Sequence, residues 1–294
     1  MTAIAPPPAP PGNPPDLSPG GRKALRGGFI AAAAVIVVAS LAALAVTAWG
    51  VSTVRVTADS RTLPATVRSL TIDTGDIPIA VRITDDRDAR EPRLDLRLVN
   101  TTGSGEHHLT VSADGADTRV GVEGRPSPIL DWARGGEITV TLPPEQARRM
   151  TVRTEQQTGV VLAQTDLDQL IAQTTDGAVI LGAAARRIEI QTVDGDVAAH
   201  RPISVSERFT ATTSDGDIAV DFADAPRTVE ATSRGGDVVL GLPPQGPYLL
   251  KTGGDGSVTV QVPETADPAA AVAEVTARSE RGDVVIEEVT SARP

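Results

Sequence analysis

No cysteine occurs in the 294 residues, so no disulfide framework can hold this chain together. Aromatic residues are almost as scarce, at two tryptophans, one tyrosine and three phenylalanines. Sugar-processing grooves tend to use aromatic platforms, and Trp132 and Tyr248 are the platform candidates outside the apolar N-terminal segment. The chain has three histidines. His107 and His108 are adjacent and would point to opposite faces of a strand, while His200 sits at a corner. All three read as exposed polar residues rather than metal ligands. There is no GxSxG elbow, no phosphate-cradling glycine loop and no HExxH pair, which removes the best-known hydrolase, nucleotide and zinc-protease devices. We therefore expect no catalytic residues, no cofactor and no enzymatic activity.

Positive charge is also in short supply. The formal net charge is -11, and residues 1–54 hold only Arg22, Lys23, Arg26 and Asp16, a net +2, which leaves -13 for the remainder. Such a surface repels nucleic acid phosphates and anionic lipid, so neither is expected as a ligand.

Residues 27–54 carry no charge and include FIAAAAVIVVASLAALAVTAWGV. A hydrocarbon core requires about 20 apolar helical residues, so this stretch predicts a membrane helix over 27–51, acting as an uncleaved signal anchor. Arg22, Lys23 and Arg26 before it, against Arg55 alone after it, place the N-terminus in the cytoplasm and the rest outside. A signal peptide cleaved near Ala43-Leu44-Ala45 is the competing reading; the apolar run exceeds a usual signal-peptide core of 7–15 residues and favours the anchor. The leader, 1–26, is rich in proline and reads as an extended or disordered cytoplasmic tail.

What the chain has in abundance is a glycine-led turn followed by a strand. It appears as GDIPIAV at Gly75, GEITVTL at Gly136, GAVIL at Gly177, GDVAA at Gly195, GDIAVDF at Gly216, GDVVLGL at Gly236, GSVTVQV at Gly256 and GDVVIEE at Gly282. The second and fourth residues after the glycine are apolar, as in Val179 and Leu181, Ile218 and Val220, Val238 and Leu240, Val258 and Val260, and Val284 and Ile286. Period two marks strands with one buried face, and the intervening Thr, Asp, Gln and Glu predict a wet opposite face. The glycine would supply a positive φ, and a neighbouring Asp would bond back to the turn.

From Gly159 the glycines recur at steps of 18, 18, 21, 20, 20 and 26 residues. A second short strand precedes each turn, as in Arg187–Gln191, Phe209–Thr213 and Thr228–Thr232. Two strands and two turns in about twenty residues are one coil of a single-stranded parallel β-solenoid. The expected class is all-β, with the membrane helix in front; an antiparallel β-sandwich is the alternative. The coils are expected over 144–290, with a tether at 52–65, an irregular β cap region at 66–143 and a tail at 291–294. On that plan the last coil ends at Val289 with little left to cap it.

The Asp-rich turns are the sharpest candidate for chemistry. Asp194, Asp196, Asp215, Asp217 and Asp255 would stack along one edge and offer oxygens to Ca²⁺. Calcium rolls use a nine-residue repeat, half the period here, and Asp-Gly is a common tight-turn pair on conformational grounds alone. The aspartates are accordingly read as corners, with no metal expected. Acid and base roles for Asp215 and Asp217 in a glycan groove are set aside on the same reasoning.

The segments TSDGDI, SRGGDVVL and RGDVVIEE, with LTIDTGDIPIAV near the start, resemble a bacterial family of uncharacterised β-solenoid proteins called putative adhesins. The resemblance covers about residues 66–290. It implies a short cytoplasmic tail, one membrane helix and an external solenoid, with some relatives linked to envelope-stress signalling, and it brings no catalytic residues. The expected function is non-enzymatic: an acidic external rod for adhesion, scaffolding or binding an envelope protein or glycan. An accessory role in stress signalling is the alternative, and a carbohydrate-active enzyme stands third.

Overall fold

A computed structural model describes residues 54–101, 108–123 and 135–289. The leader, the apolar segment 27–51, His107 and Trp132 lie outside the described residues, as do most of the longer loops expected before Gly136. Among the described residues no helix is long and apolar enough to cross a membrane.

The described chain is all-β, with strands paired mostly in parallel. β1 (Val54–Thr62) precedes the pair β2 (Ser69–Gly75) and β3 (Ile79–Asp85). Next come β4 (Arg93–Thr101), β5 (His108–Asp114), β6 (Asp117–Glu123) and β7 (Gly135–Leu142), then the single turn α1 (Pro144–Ala147). β8 (Thr151–Ala163) and β9 (Leu167–Leu181) are long strands that run through a corner. After them strands alternate in pairs: β10 (Ala185–Asp194) and β11 (Val197–Ala199), β12 (Ile203–Thr213) and β13 (Ile218–Asp224), and β14 (Thr228–Ser233) and β15 (Val238–Leu242). The last two pairs are β16 (Tyr248–Gly254) with β17 (Val258–Gln261), and β18 (Ala273–Ser279) with β19 (Val284–Glu288).

Each circuit places its first strand in one ladder and its second in another. Val152 pairs with Leu170, Leu170 with Ile188, Ile188 with Phe209 and Phe209 with Val229 in the first ladder. Val161 pairs with Val179, Val179 with Val197, Val197 with Ile218 and Ile218 with Val238 in the second. These positions are buried, and the ladders share one core across which the Phe209 and Phe222 rings meet edge to face at 5.2 Å. Hairpins of an antiparallel sandwich do not describe this pairing: the antiparallel partners are β1 with β4, β4 with β7 and β5 with β6, all before β8.

The stacking order departs from the chain order at both ends. β2 and β3 pair in register directly with β8, although they lie in the stretch expected to be irregular, and β6 and β7 stack beyond them. At the other end β14 and β15 pair with β18 and β19, and only then come β16 and β17. The coil that follows Gly256 in sequence is thus the inner one. The 26-residue step from Gly256 to Gly282 holds the segment that walks the chain back by one coil. This corrects the expectation of a terminal coil ending at Val289. Val258 and Val260, read as core residues, are 44% and 37% exposed, because no further coil among the described residues covers them.

The face outside the second ladder also differs from expectation. Leu162, Ile180, Val239 and Val285 point outward and are half-buried rather than polar, so a narrow apolar column runs along that face.

Candidate functional site

The repeated glycines bring the chemistry-bearing residues to one edge of the stack. A Cβ on Gly177 would overlap the carbonyl oxygen of Gly159; the same holds for Gly195 on Gly177, Gly216 on Gly195, Gly236 on Gly216, Gly282 on Gly236 and Gly256 on Gly282. Only Gly159 and Gly177 of this column have φ in the left-handed region, at 149° and 150°. From Gly195 onward the glycine is required by how closely one coil sits on the next, not by a positive φ as the sequence suggested.

The residue after the glycine builds a second column. Asp196 Oδ1 accepts the Asp217 backbone N–H at 2.9 Å, Asp217 that of Asp237 at 2.8 Å, Asp237 that of Asp283 at 2.8 Å and Asp283 that of Ser257 at 2.8 Å. The bond from the Ser257 backbone N–H holds the Asp283 carboxyl below the usual carboxylate range, against the opposing effect of desolvation. Each of these carboxylates therefore serves the neighbouring coil as a cap while facing solvent.

Three residues before the glycine lies a buried polar column, which the sequence reading missed although a Ser/Thr-x-x-Gly spacing recurs at Thr174, Thr192, Thr213, Ser233 and Ser279, with Gln156 and Gly253 at that place before Gly159 and Gly256. Thr213 Oγ1 donates to the Gly195 carbonyl at 3.2 Å, Ser233 Oγ to Gly216 at 2.9 Å and Ser279 Oγ to Gly236 at 2.7 Å. The Ser233 and Ser279 oxygens also accept the backbone N–H of Gly236 and Gly282 at 2.9 and 2.8 Å. At the other end of the same column Gln156 Oε1 and the hydroxyls of Thr174 and Thr192 are buried without a protein partner. There the edge opens into a groove of about 420 Å³, rimmed by Asp73, Glu155, Gln173 and Gln191. Arg119 reaches Glu155 at 3.1 Å and Asp73 at 3.7 Å at its end.

The candidate carboxylates do not converge. Asp196 and Asp217 are ladder caps; Asp194, Asp215 and Asp255 stand exposed just before their glycines. Arg281 Nη2 bonds Asp215 Oδ1 at 2.8 Å, passing over Gly235. Among the described residues no three His, Cys, Asp or Glu gather as metal ligands. His108 and His200 are exposed and apart. Tyr248, proposed as a sugar platform, is buried; its hydroxyl donates to the Pro243 carbonyl, and desolvation first, then Glu288, push its pKa up to about 12. Across the opposite, returning corner Arg186 forks onto Asp168 at 2.7 and 2.8 Å and reaches Glu207 at 2.9 Å, pinning three coils with half-exposed ion pairs of small individual worth.

The family profile described as Toastrack DUF4097 matches residues 100–287. Among solved structures, a putative adhesin from Parabacteroides merdae is 10% identical, with a TM-score of 0.45, over 80% of this chain and 97% of that one. A putative cell adhesion protein from Clostridium sporogenes is 9% identical with a TM-score of 0.39, over 80% and 100%. A putative lipid binding protein from Parabacteroides distasonis is 11% identical with a TM-score of 0.36, over 79% and 97%. No curated protein matches the chain.

Proposed function

This chain belongs to the Toastrack DUF4097 family, and we propose that it is a non-enzymatic, single-pass cell-envelope protein whose external β-solenoid presents an acidic edge to another envelope component. The apolar segment 27–51 would anchor it, with the N-terminus in the cytoplasm and the coils outside.

The observation that carries this reading is the pair of carboxylate columns along the glycine edge. Asp196, Asp217, Asp237 and Asp283 form one, and Asp176, Asp194, Asp215 and Asp255 contribute to the other. Charge repeated at the coil spacing of about 4.8 Å favours an extended or multivalent cationic partner. The backbone bonds that fix the first column also commit those carboxylates structurally, which argues against an acid or base role for Asp217.

The test uses the absence of cysteine. Val193 is 51% exposed at the corner, so V193C in the full chain offers one thiol beside the acidic edge. A membrane-impermeant thiol-reactive crosslinker applied to intact cells should label V193C and capture a partner. The capture should disappear when D196N, D217N, D237N and D283N are added together, because Asn keeps the Oδ1 acceptor and removes the charge. Failure to label intact cells would overturn the external placement; capture of the same partner by the neutralised chain would overturn the acidic edge.

A further inference from the structure

The two ends of the coil stack are finished differently. At one end antiparallel strands close it: β4 covers β7, β1 covers β4 and β5 covers β6, and the Leu109 backbone N–H reaches Asp59 across the cap at 3.4 Å. At the other end β17 pairs with β19 on one side and with nothing on its outer side among the described residues. Among the described residues its companion β16 is covered on its outer side only at its first residue, where Tyr248 exchanges backbone bonds with Pro263 and Thr265 at 2.9 Å.

Exposed strand edges are ordinarily blunted by charge, proline or a bulge, since an unpaired edge recruits another strand. β17 has none of these. Ser257-Val258-Thr259-Val260-Gln261-Val262 is uncharged, and proline first appears at Pro263. Val258 and Val260 occupy the register of Val284 and Ile286, which are buried in the next coil inward, so the core columns run out to this edge. The surrounding chain has a net charge of -11 and would repel a second copy of itself, so a neutral edge with an open core is where two copies can meet.

We propose that two copies associate end to end through this coil, β17 pairing antiparallel with β17 about a two-fold axis at Val260. That register sets Val260 opposite Val260 and Thr259 opposite Gln261, and it continues the valine-lined core from one copy into the other. An isologous contact of this kind closes after two chains and leaves the capped ends free.

The full chain in detergent supplies the test. Opposed residues of an antiparallel pair have Cα atoms about 4.5–5.5 Å apart, within the range that a disulfide spans. In a chain without other cysteines, V260C should oxidise to a covalent dimer, while T212C, outward-facing in the middle of the stack, should stay a monomer. The V258K/V260K variant should sediment as one chain where the unmodified protein sediments as two. Both positions are already exposed, so its melting temperature should stay near that of the parent. Dimer formation by V260C no greater than by T212C would overturn the proposal. So would an unmodified chain that sediments as a monomer, or a V258K/V260K chain that remains dimeric, the last assigning association to another segment.

Discussion

The glycine edge turns the same corner in two ways. At Gly159 and Gly177 the strand continues unbroken through the corner, the residue after the glycine is Val160 or Ala178, and the hydroxyl column beneath is unpartnered. At Gly195, Gly216, Gly236 and Gly282 strands end before the corner and the next residue is Asp196, Asp217, Asp237 or Asp283; at the last three of these corners Thr213, Ser233 and Ser279 each find a carbonyl. The tight version is closed by its own backbone. The open version leaves a groove and two buried polar atoms unused, Gln156 Oε1 and the Thr174 hydroxyl, which marks it as the less stable half.

The largest expected effect concerns the glycines that make the tight corner possible. G216A would press a methyl group into the Gly195 carbonyl, a backbone atom that cannot move aside without shifting a coil. A loss of roughly 3 kcal/mol or more is expected in denaturant unfolding, at the upper end of overpacking costs. G253A, where nothing stands within 4 Å of the new methyl, should change stability by less than about 0.5 kcal/mol. Equal effects would mean that the column of glycines does not set the coil spacing.

A smaller contrast separates the two halves of the hydroxyl column. S233A removes the acceptor of the Gly236 N–H and the donor to the Gly216 carbonyl, and should cost about 2 kcal/mol. T174V removes a buried hydroxyl that bonds to nothing and should be neutral or stabilising by about 1 kcal/mol. If T174V destabilises as much as S233A, the open half has a partner for that hydroxyl and the two corners are energetically alike.

Much of this contrast was legible in the residues themselves. Period-two strands and even glycine spacing gave the parallel pairing, and Gly-Asp against Gly-Val or Gly-Ala already separates tight corners from open ones. Stacking order was not legible, because spacing counts residues per coil and says nothing about which coil lies above. The exposure of Val258 and Val260 followed from that order rather than from their own pattern, which matches Val284 and Ile286. Tyr248 was misplaced for a related reason: the chain folds back over it at Pro263–Thr265 on its way to the inner coil. The bonds from the carboxylates to the next coil's N–H were not legible either, because they follow from the register.

The Asp column carries the smallest expected effect, and its sign follows from where each carboxyl titrates. Asp283 is held below the range of an unfolded aspartate, near 3.9, by the Ser257 N–H, so folding favours its charged form. Its contribution is complete above about pH 4 and is lost as pH falls through the lower folded value, because the unfolded chain takes up the proton first. Asp168 beside Arg186 and Glu207 beside Arg187 are lowered too and add loss in the same direction. Thermal unfolding should therefore show a melting temperature that declines below about pH 4. D283N keeps the acceptor but cannot titrate, so its decline should be shallower than that of the parent. An identical slope in D283N would mean that the capping bond does not distinguish the charged carboxyl from the neutral one, and that the tight corners are held by packing and the hydroxyl column alone.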